Sequence, residues 1–413
     1  MNTVHEKLHS DDLKVELRST ALKGMKVAIC VGGGIAAIEV PRVARELRRM
    51  GASVRVCATE NALRFVGRDA LEWASTHPVV VHASGLAEHI ATDDLVLVFP
   101  ATADLIAKIA NGLCPDACTT YIQSALGQQI PIYCLATMHD SLRASPAFRV
   151  NLDKLIQFSG VELLTARVEE GKWKSPPPNQ LALEIAYRFN SRSILTKKGR
   201  RLRALVTLGG TSVAIDSARS VTNASSGTLG SLIAEQLILA GVETTVLCGQ
   251  HTAPLPDCSG LHIVTAPRFV DFEDWIGTET NTNAFDALFH VAAVSDFKPA
   301  EVSSGKIESN VATISLKMEP LPKLIKHGNL QKIPFKLACK YTAGESPEER
   351  AKAQKLLNDN ALDAIYWNWG AQSFGASDTS QGVLVCRSGE KITPLTSKKQ
   401  AAIKISELFM NGI

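Results

Sequence analysis

The chain has 413 residues, with 44 Lys and Arg against 41 Asp and Glu, a net charge of +3. So even a balance gives no support for binding nucleic acid or an anionic membrane surface. No run of about 18 apolar residues predicts a transmembrane helix, and the length predicts two domains. The opening stretch "MNTVHEKLHSDDLKVELRST" lacks the apolar core of a signal peptide and reads as a loose or locally helical leader. The nine cysteines are scattered through apolar runs, which predicts a reduced, cytoplasmic setting. Cys114 and Cys118 have no second pair after them and read as buried small apolar residues.

In chain order, "KVAICVGGG" predicts a strand ending in glycines, and "IAAIEVPRVARELRRMG" a helix closing on Gly51. "SVRVCATE", "DDLVLVFPATA" and "IPIYCLAT" follow as strands, with "DLIAKIANGL" a helix between the last two. "ARVEEGKWKSPPPNQ", with its charges and triple Pro, predicts a loop or linker. A short helix, "LALEIAYRFNS", and the basic "RSILTKKGRR" lead to a second start, the strand "LRALVTLGG". The helix "SGTLGSLIAEQLILAG" and the strands "VETTVLCG", "FDALFHVAAVSDFKP", "FKLACKYTAG", "LDAIYWN" and "GVLVCRSGEKITPL" complete the chain. Continuous apolar strands alternating with helices predict parallel doubly wound sheets. The expected organisation is a leader over 1–24, a first α/β domain over 25–190 and a second over 191–413.

Both domain starts place glycines where a strand passes into a helix. Backbone N–H groups and the helix dipole suit phosphate there. In the second start, "RSVTNASSGTLG" adds hydroxyls, an Arg and an Asn.

These motifs carry a resemblance. "GGTSVAIDSARSVTNASSGTLG" and "AAVSDFKPAEVSSGKI" resemble "GGT…IDPVR-ITN-SSGKMG" and "AAVADYRPA…KIKK" of the bifunctional coenzyme A biosynthesis flavoproteins. That family joins a phosphopantothenoylcysteine decarboxylase to a phosphopantothenate–cysteine ligase. The resemblance implies a flavodoxin-like, Rossmann-like flavoprotein domain followed by a Rossmann-like ligase domain. It implies that 4′-phosphopantothenate, activated by CTP and Mg²⁺ as an acyl-cytidylate, is captured by cysteine. Lys306, Asn223 and Arg219 match the catalytic positions. Gly210, Thr211, Ser226, Gly227, Ala293, Asp296, Asn368 and Phe374 match the substrate and nucleotide segments. The family's phosphate-binding Lys aligns with Asn360, so Lys323, Lys340 or Lys355 are the candidates to supply that charge. "KMEPLPKLI" is closer to the monofunctional ligases that use ATP, which leaves CTP and ATP both open. The sequence names no metal ligand.

In the first half, "GGGIAA", "ATENALRFV" and "EHIATDDLVLVFPATADLIAKIANGL" are similar to the family's FMN segments. The resemblance implies that Gly33, Gly34, Thr59, Pro100 and Thr102 hold FMN and that His89 is the base. The family's clamp Asn is His139 here, which with Arg143 is a candidate to hold the substrate carboxylate, and the family's flap Cys has no counterpart in "EEGKWKSPPPNQ". The expectation is a working ligase fused to a flavin-binding domain whose decarboxylase is impaired. A fully bifunctional enzyme, with His139 and Lys172 or Lys174 as a rewired pair, is the first alternative. A non-catalytic flavin-binding regulatory or structural protein is the second. Family members form trimers through the flavoprotein half and dimers through the ligase half, which implies a homo-oligomer.

Overall fold

The computed structural model describes residues 13–278, 282, 284–308, 313–370, 375, 377–387 and 394–412. The chain divides into two compact units, Met1–Phe189 and Asn190–Ile413. In the first, five strands are ordered Ser53–Ala58, Lys26–Val31, Leu95–Ala101, Ile132–Ala136 and Val161–Leu163, and every pairing is parallel. Numbered along the chain this order is 2-1-3-4-5, the flavodoxin-like form of the doubly wound sheet. Leu95–Ala101 is buried at every position, as a strand covered by helices on both faces must be. The helix Val40–Arg49 turns Val40, Val43, Ala44 and Leu47 onto the sheet at helical spacing.

Two expectations change here. Residues 13–24 form neither a loose nor a helical leader. The Arg18 and Ser19 amides donate to the Arg49 carbonyl at 2.8 and 3.2 Å, and Leu22 is 1% exposed. Nor is "EEGKWKSPPPNQ" only a loop. Arg167–Glu169 and Lys172–Lys174 form an antiparallel hairpin, to which Met138–His139 adds a third strand. Glu170 and Gly171 turn it at φ values of 52° and 66°. Trp173 anchors it, packing against the core with the Arg143 guanidinium 5.3 Å from its ring centre.

In the second unit the sheet runs Leu261–Thr265, Glu243–Cys248, Arg203–Leu208, Ala287–His290, Phe335–Thr342, Ala364–Trp369, Thr379–Cys386 and Leu395–Ser397. The first six strands are parallel and the last two antiparallel. The order 3-2-1-4-5-6 is Rossmann-like, with its switch point between Arg203–Leu208 and Ala287–His290. An apolar layer covers each face. One holds Phe289, Phe335 and Phe409 with ring centres 5.3–5.9 Å apart, and the other Phe269, Phe272 and Trp367. The short helix and basic segment expected near residues 181–201 are instead mostly one 21-residue helix, Pro178–Lys198.

Candidate functional site

In the first unit a cleft of about 1020 Å³ opens beside the turns that follow the first and third strands. Gly33, Gly34, Thr59, His89 and Thr102 all line it, together with Asn61, Lys108 and Met138. Gly33 has no room for a side chain, since a Cβ there would stand 2.4 Å from the Cβ of Asn61. That close approach makes the turn a backbone-lined cradle. Thr59 donates its hydroxyl to the Val31 carbonyl at 3.1 Å, which ties the second strand's end to the first. Thr102 caps the helix Ala103–Ala110 by accepting from the Leu105 amide at 3.2 Å. Shape, size and donor set fit a flavin mononucleotide, whose phosphate needs backbone amides and whose ring needs a roomy slot.

Pro100 stands behind this lining, with its carbonyl against Gly32. His139 lies outside the lining as well. It is exposed, and its Nδ1 accepts from the Ser141 amide at 3.2 Å as the cap of a short helix. Arg143 is paired with Asp140 at 2.8 Å. Lys174 is paired with Glu169 and Glu170 at 3.2 and 3.1 Å. Cys114 corrects the sequence reading: it is exposed and lines the cleft, whereas Cys118 is buried. Its position in the loop after a helix ending, rather than in a strand, was the available signal.

In the second unit a cleft of about 210 Å³ lies at the C-terminal ends of the strands. Ser226, Gly227, Ala293, Asn368 and Gly375 line it. Gly227 starts the helix Thr228–Leu239 at φ 76°, a conformation open to glycine at little cost. The helix start therefore faces the cleft through Ser225, Ser226, Gly227 and Thr228. Ser226 donates to the Gly375 carbonyl at 2.6 Å. Lys398, which the sequence reading missed, also lines this cleft. It is 4% exposed and donates to the Gly375 and Ser377 carbonyls, both at 2.7 Å. The signal was a Lys at a helix start, "SKKQ", after the last strand.

The other expected ligase residues, Gly210, Thr211, Arg219, Asn223, Asp296 and Lys306, are not in that lining. The Ala293 carbonyl accepts from the Asn223 side-chain amide at 3.0 Å and from the Thr211 amide at 3.2 Å. Gly210 bridges to Ala293 and Gln250 through its backbone. Thr211 is buried, and its hydroxyl oxygen accepts from the Ser295 amide at 2.8 Å. Asp296 is ion-paired with Lys323. Lys306 is exposed on the loop before Ile307. Arg219 is held by Asp216 at 2.5 Å. Phe374 lies outside the described residues. Hydrogen bonds from the Ala218, Ile307 and Arg219 amides hold the Asp216 carboxyl down at about 2.

Of the candidates for the missing phosphate charge, Lys323 is committed to Asp296 and Lys355 to Asp359 at 3.1 Å, and Lys340 is not in the lining. Asn360 is 3% exposed and donates to the Leu356 carbonyl at 2.9 Å, so it caps its own helix. Among the described residues, Lys398 is the lysine that lines the cleft. Among the described residues no cluster of His, Cys, Asp and Glu could hold a metal ion, and no helix is long and apolar enough to cross a membrane.

Residues 199–411 match the DNA/pantothenate metabolism flavoprotein C-terminal domain, and residues 16–190 match the flavoprotein family. A coenzyme A biosynthesis bifunctional protein CoaBC of Thermococcus kodakarensis is 33% identical over 407 residues, covering 96% of this chain and 98% of the relative. The chain belongs to that family. A CoaBC protein of Methanocaldococcus jannaschii is 28% identical over 412 residues, with 98% of each chain covered. Among solved structures, the DNA/pantothenate metabolism flavoprotein from Streptococcus pneumoniae is 25% identical, covering 51% of this chain and all of that one at a TM-score of 0.45. As a CoaBC family member, the chain carries a flavoprotein domain followed by a pantothenate-metabolism domain.

Proposed function

We propose that the second unit ligates 4′-phosphopantothenate to cysteine, with CTP or ATP as the activating nucleotide. The observation that carries this reading is the cleft at the start of the helix Thr228–Leu239, where Ser226, Gly227, Ala293 and the buried Lys398 converge. Amides at a helix start and a fixed ammonium suit a triphosphate. In such a reaction the substrate carboxylate attacks the α-phosphorus and pyrophosphate leaves; the acyl group then passes to the cysteine amine, and the nucleoside monophosphate and a proton depart. Negative charge gathers on phosphoryl oxygens, so the chain's task is to position cations and donors. Lys306 would neutralise that charge, and Asn223 would hold the nucleotide-side carbonyl of Ala293 in place. Magnesium would be held mostly by nucleotide phosphates and water, as this ion prefers. Incubation with phosphopantothenate, cysteine and Mg²⁺ plus CTP or ATP should release pyrophosphate. Release with neither nucleotide would overturn the reading.

For the first unit, the proposal is that it binds FMN and turns over poorly. Gly33, Gly34, Thr59 and Thr102 would hold the cofactor, which supplies two-electron oxidation of a thiol substrate when bound. His89 would take a proton at the substrate end of the cleft. The flap hairpin offers Lys172, Trp173 and Lys174 and no thiol, so the proton donor of the final step is missing from it. One observation favours the fully bifunctional alternative: the exposed thiol of Cys114 lines the same cleft. Sustained phosphopantetheine formation that disappears in Cys114→Ser would decide for it. A homo-oligomer and a cytoplasmic location complete the proposal by family likeness.

A further inference from the structure

We infer that Asp216 is a positioning residue for the ligase, the link that sets where Lys306 stands relative to Arg219. The inference rests on the ligase reading of the second unit. Asp216 lies in the turn between the strands Ser212–Ala214 and Ser220–Thr222. Its side chain is fully shielded from solvent. The two carboxylate oxygens do different things. Oδ1 accepts from the amides of Ala218 at 2.7 Å and Arg219 at 2.8 Å, which shapes the turn itself. Oδ2 also reaches beyond that turn. It accepts from the Arg219 guanidinium at 2.5 Å and from the Ile307 amide at 3.1 Å, 91 residues along the chain.

Arg219 closes the link by donating from the same nitrogen to the Ile307 carbonyl at 3.1 Å. The Ser303 amide donates to the Ile215 carbonyl, also at 3.1 Å. The segment from Ser303 to Ile307 is thus pinned at both ends to the turn that carries Asp216. Lys306 is the residue immediately before the second pin. A surface turn needs only Oδ1, so the second oxygen has a separate task. With four donors on a shielded carboxylate, the group stays ionised throughout the working pH range.

This geometry gives Arg219 a task beyond the one its sequence position implies. Its NH1 nitrogen donates both to Asp216 and to the Ile307 carbonyl, which ties it to the loop that carries Lys306. Replacing Asp216 with Asn leaves one acceptor and one donor where two acceptors are required. Whichever way the amide turns, its NH₂ meets a donor. The loop is then released, and a misplacement of about 1 Å costs about a hundredfold in a positioned reaction.

The test is a double-mutant cycle in the full-length protein, with Asp216→Asn, Lys306→Ala and the pair, read at saturating nucleotide and high enzyme concentration. Asp216→Asn should lower kcat by about ten- to a hundredfold, with the nucleotide KM within about threefold of wild type. In the Lys306→Ala background the same change should cost less than about threefold, because the group being positioned is gone. Equal losses in both backgrounds, or a kcat within twofold of wild type, would overturn the inference. Should Asp216→Asn fail to fold, Ile307→Pro removes the distant amide and leaves the Oδ1 turn intact, and the same outcomes apply. A wild-type protein without ligase activity on either nucleotide would instead sink the underlying reading.

Discussion

The side-chain amide of Asn223 donates to the carbonyl of Ala293 at 3.0 Å, joining the Gly-rich segment to the strand end 70 residues later. Ala293 also accepts from Thr211 and donates to the Gly209 carbonyl, so three bonds fix it at the cleft. Asn223→Ala should therefore lower the ligation rate by about a hundredfold or more, as should Lys306→Ala through loss of a cation at the developing phosphate charge. Circular dichroism should show both variants folded. Rates within a few-fold of wild type in both would remove these residues from the site.

Gly34 is the cradle residue where a side chain can enter without breaking the backbone. Its φ of −153° suits any residue, and a Cβ would come 3.3 Å from the Thr102 methyl. Gly34→Asp should thus fold, yet place a carboxylate where the flavin phosphate belongs. The purified variant should lose its visible flavin absorbance. Full flavin occupancy would refute the placement.

Cys114 is exposed in the first cleft, while Cys30, Cys57, Cys118, Cys134 and Cys248 are buried. Burial pushes the Cys134 thiol up to about 12 and the Cys248 thiol to about 11. Iodoacetamide should label Cys114 well before these five, and bound FMN should slow that labelling several-fold. Mass spectrometry of the labelled peptides reads both outcomes. Labelling unaffected by FMN would separate Cys114 from the flavin site.

His290 gives a pH signature. It pairs with the Thr207 hydroxyl at 3.0 Å, and burial pushes its imidazole down to about 4. The unfolded chain, with an ordinary value of about 6.5, binds the extra proton first. Stability from the neutral ring is therefore complete above about 6.5 and falls as the pH drops toward 4. The unfolding midpoint should decline across that window, and His290→Asn should flatten the decline. An unchanged slope would exclude His290 as its source.

Much of the fold was legible because the buried strands are continuous apolar runs that end in glycine-rich turns, such as "KVAICVGGG" and "LRALVTLGG". The flap was not, since Glu170–Gly171 and Trp173 make a hairpin out of a charged segment that local composition assigns to a loop. In the second unit's cleft, Ser226 and Gly227 come together with Ala293 from a separate motif. Lys398 escaped notice because it comes from a helix start about 170 residues away from the cradle, and only the sheet order brings the two together. Asp216 escaped for a related reason: its Ile307 partner is far along the chain.

The most direct measurement follows products over time by mass spectrometry, with 4′-phosphopantothenate, cysteine, Mg²⁺ and either CTP or ATP. The account predicts that phosphopantothenoylcysteine accumulates with at least one nucleotide, while phosphopantetheine forms slowly or not at all. Absence of phosphopantothenoylcysteine with both nucleotides, in a folded protein that retains flavin, would contradict it.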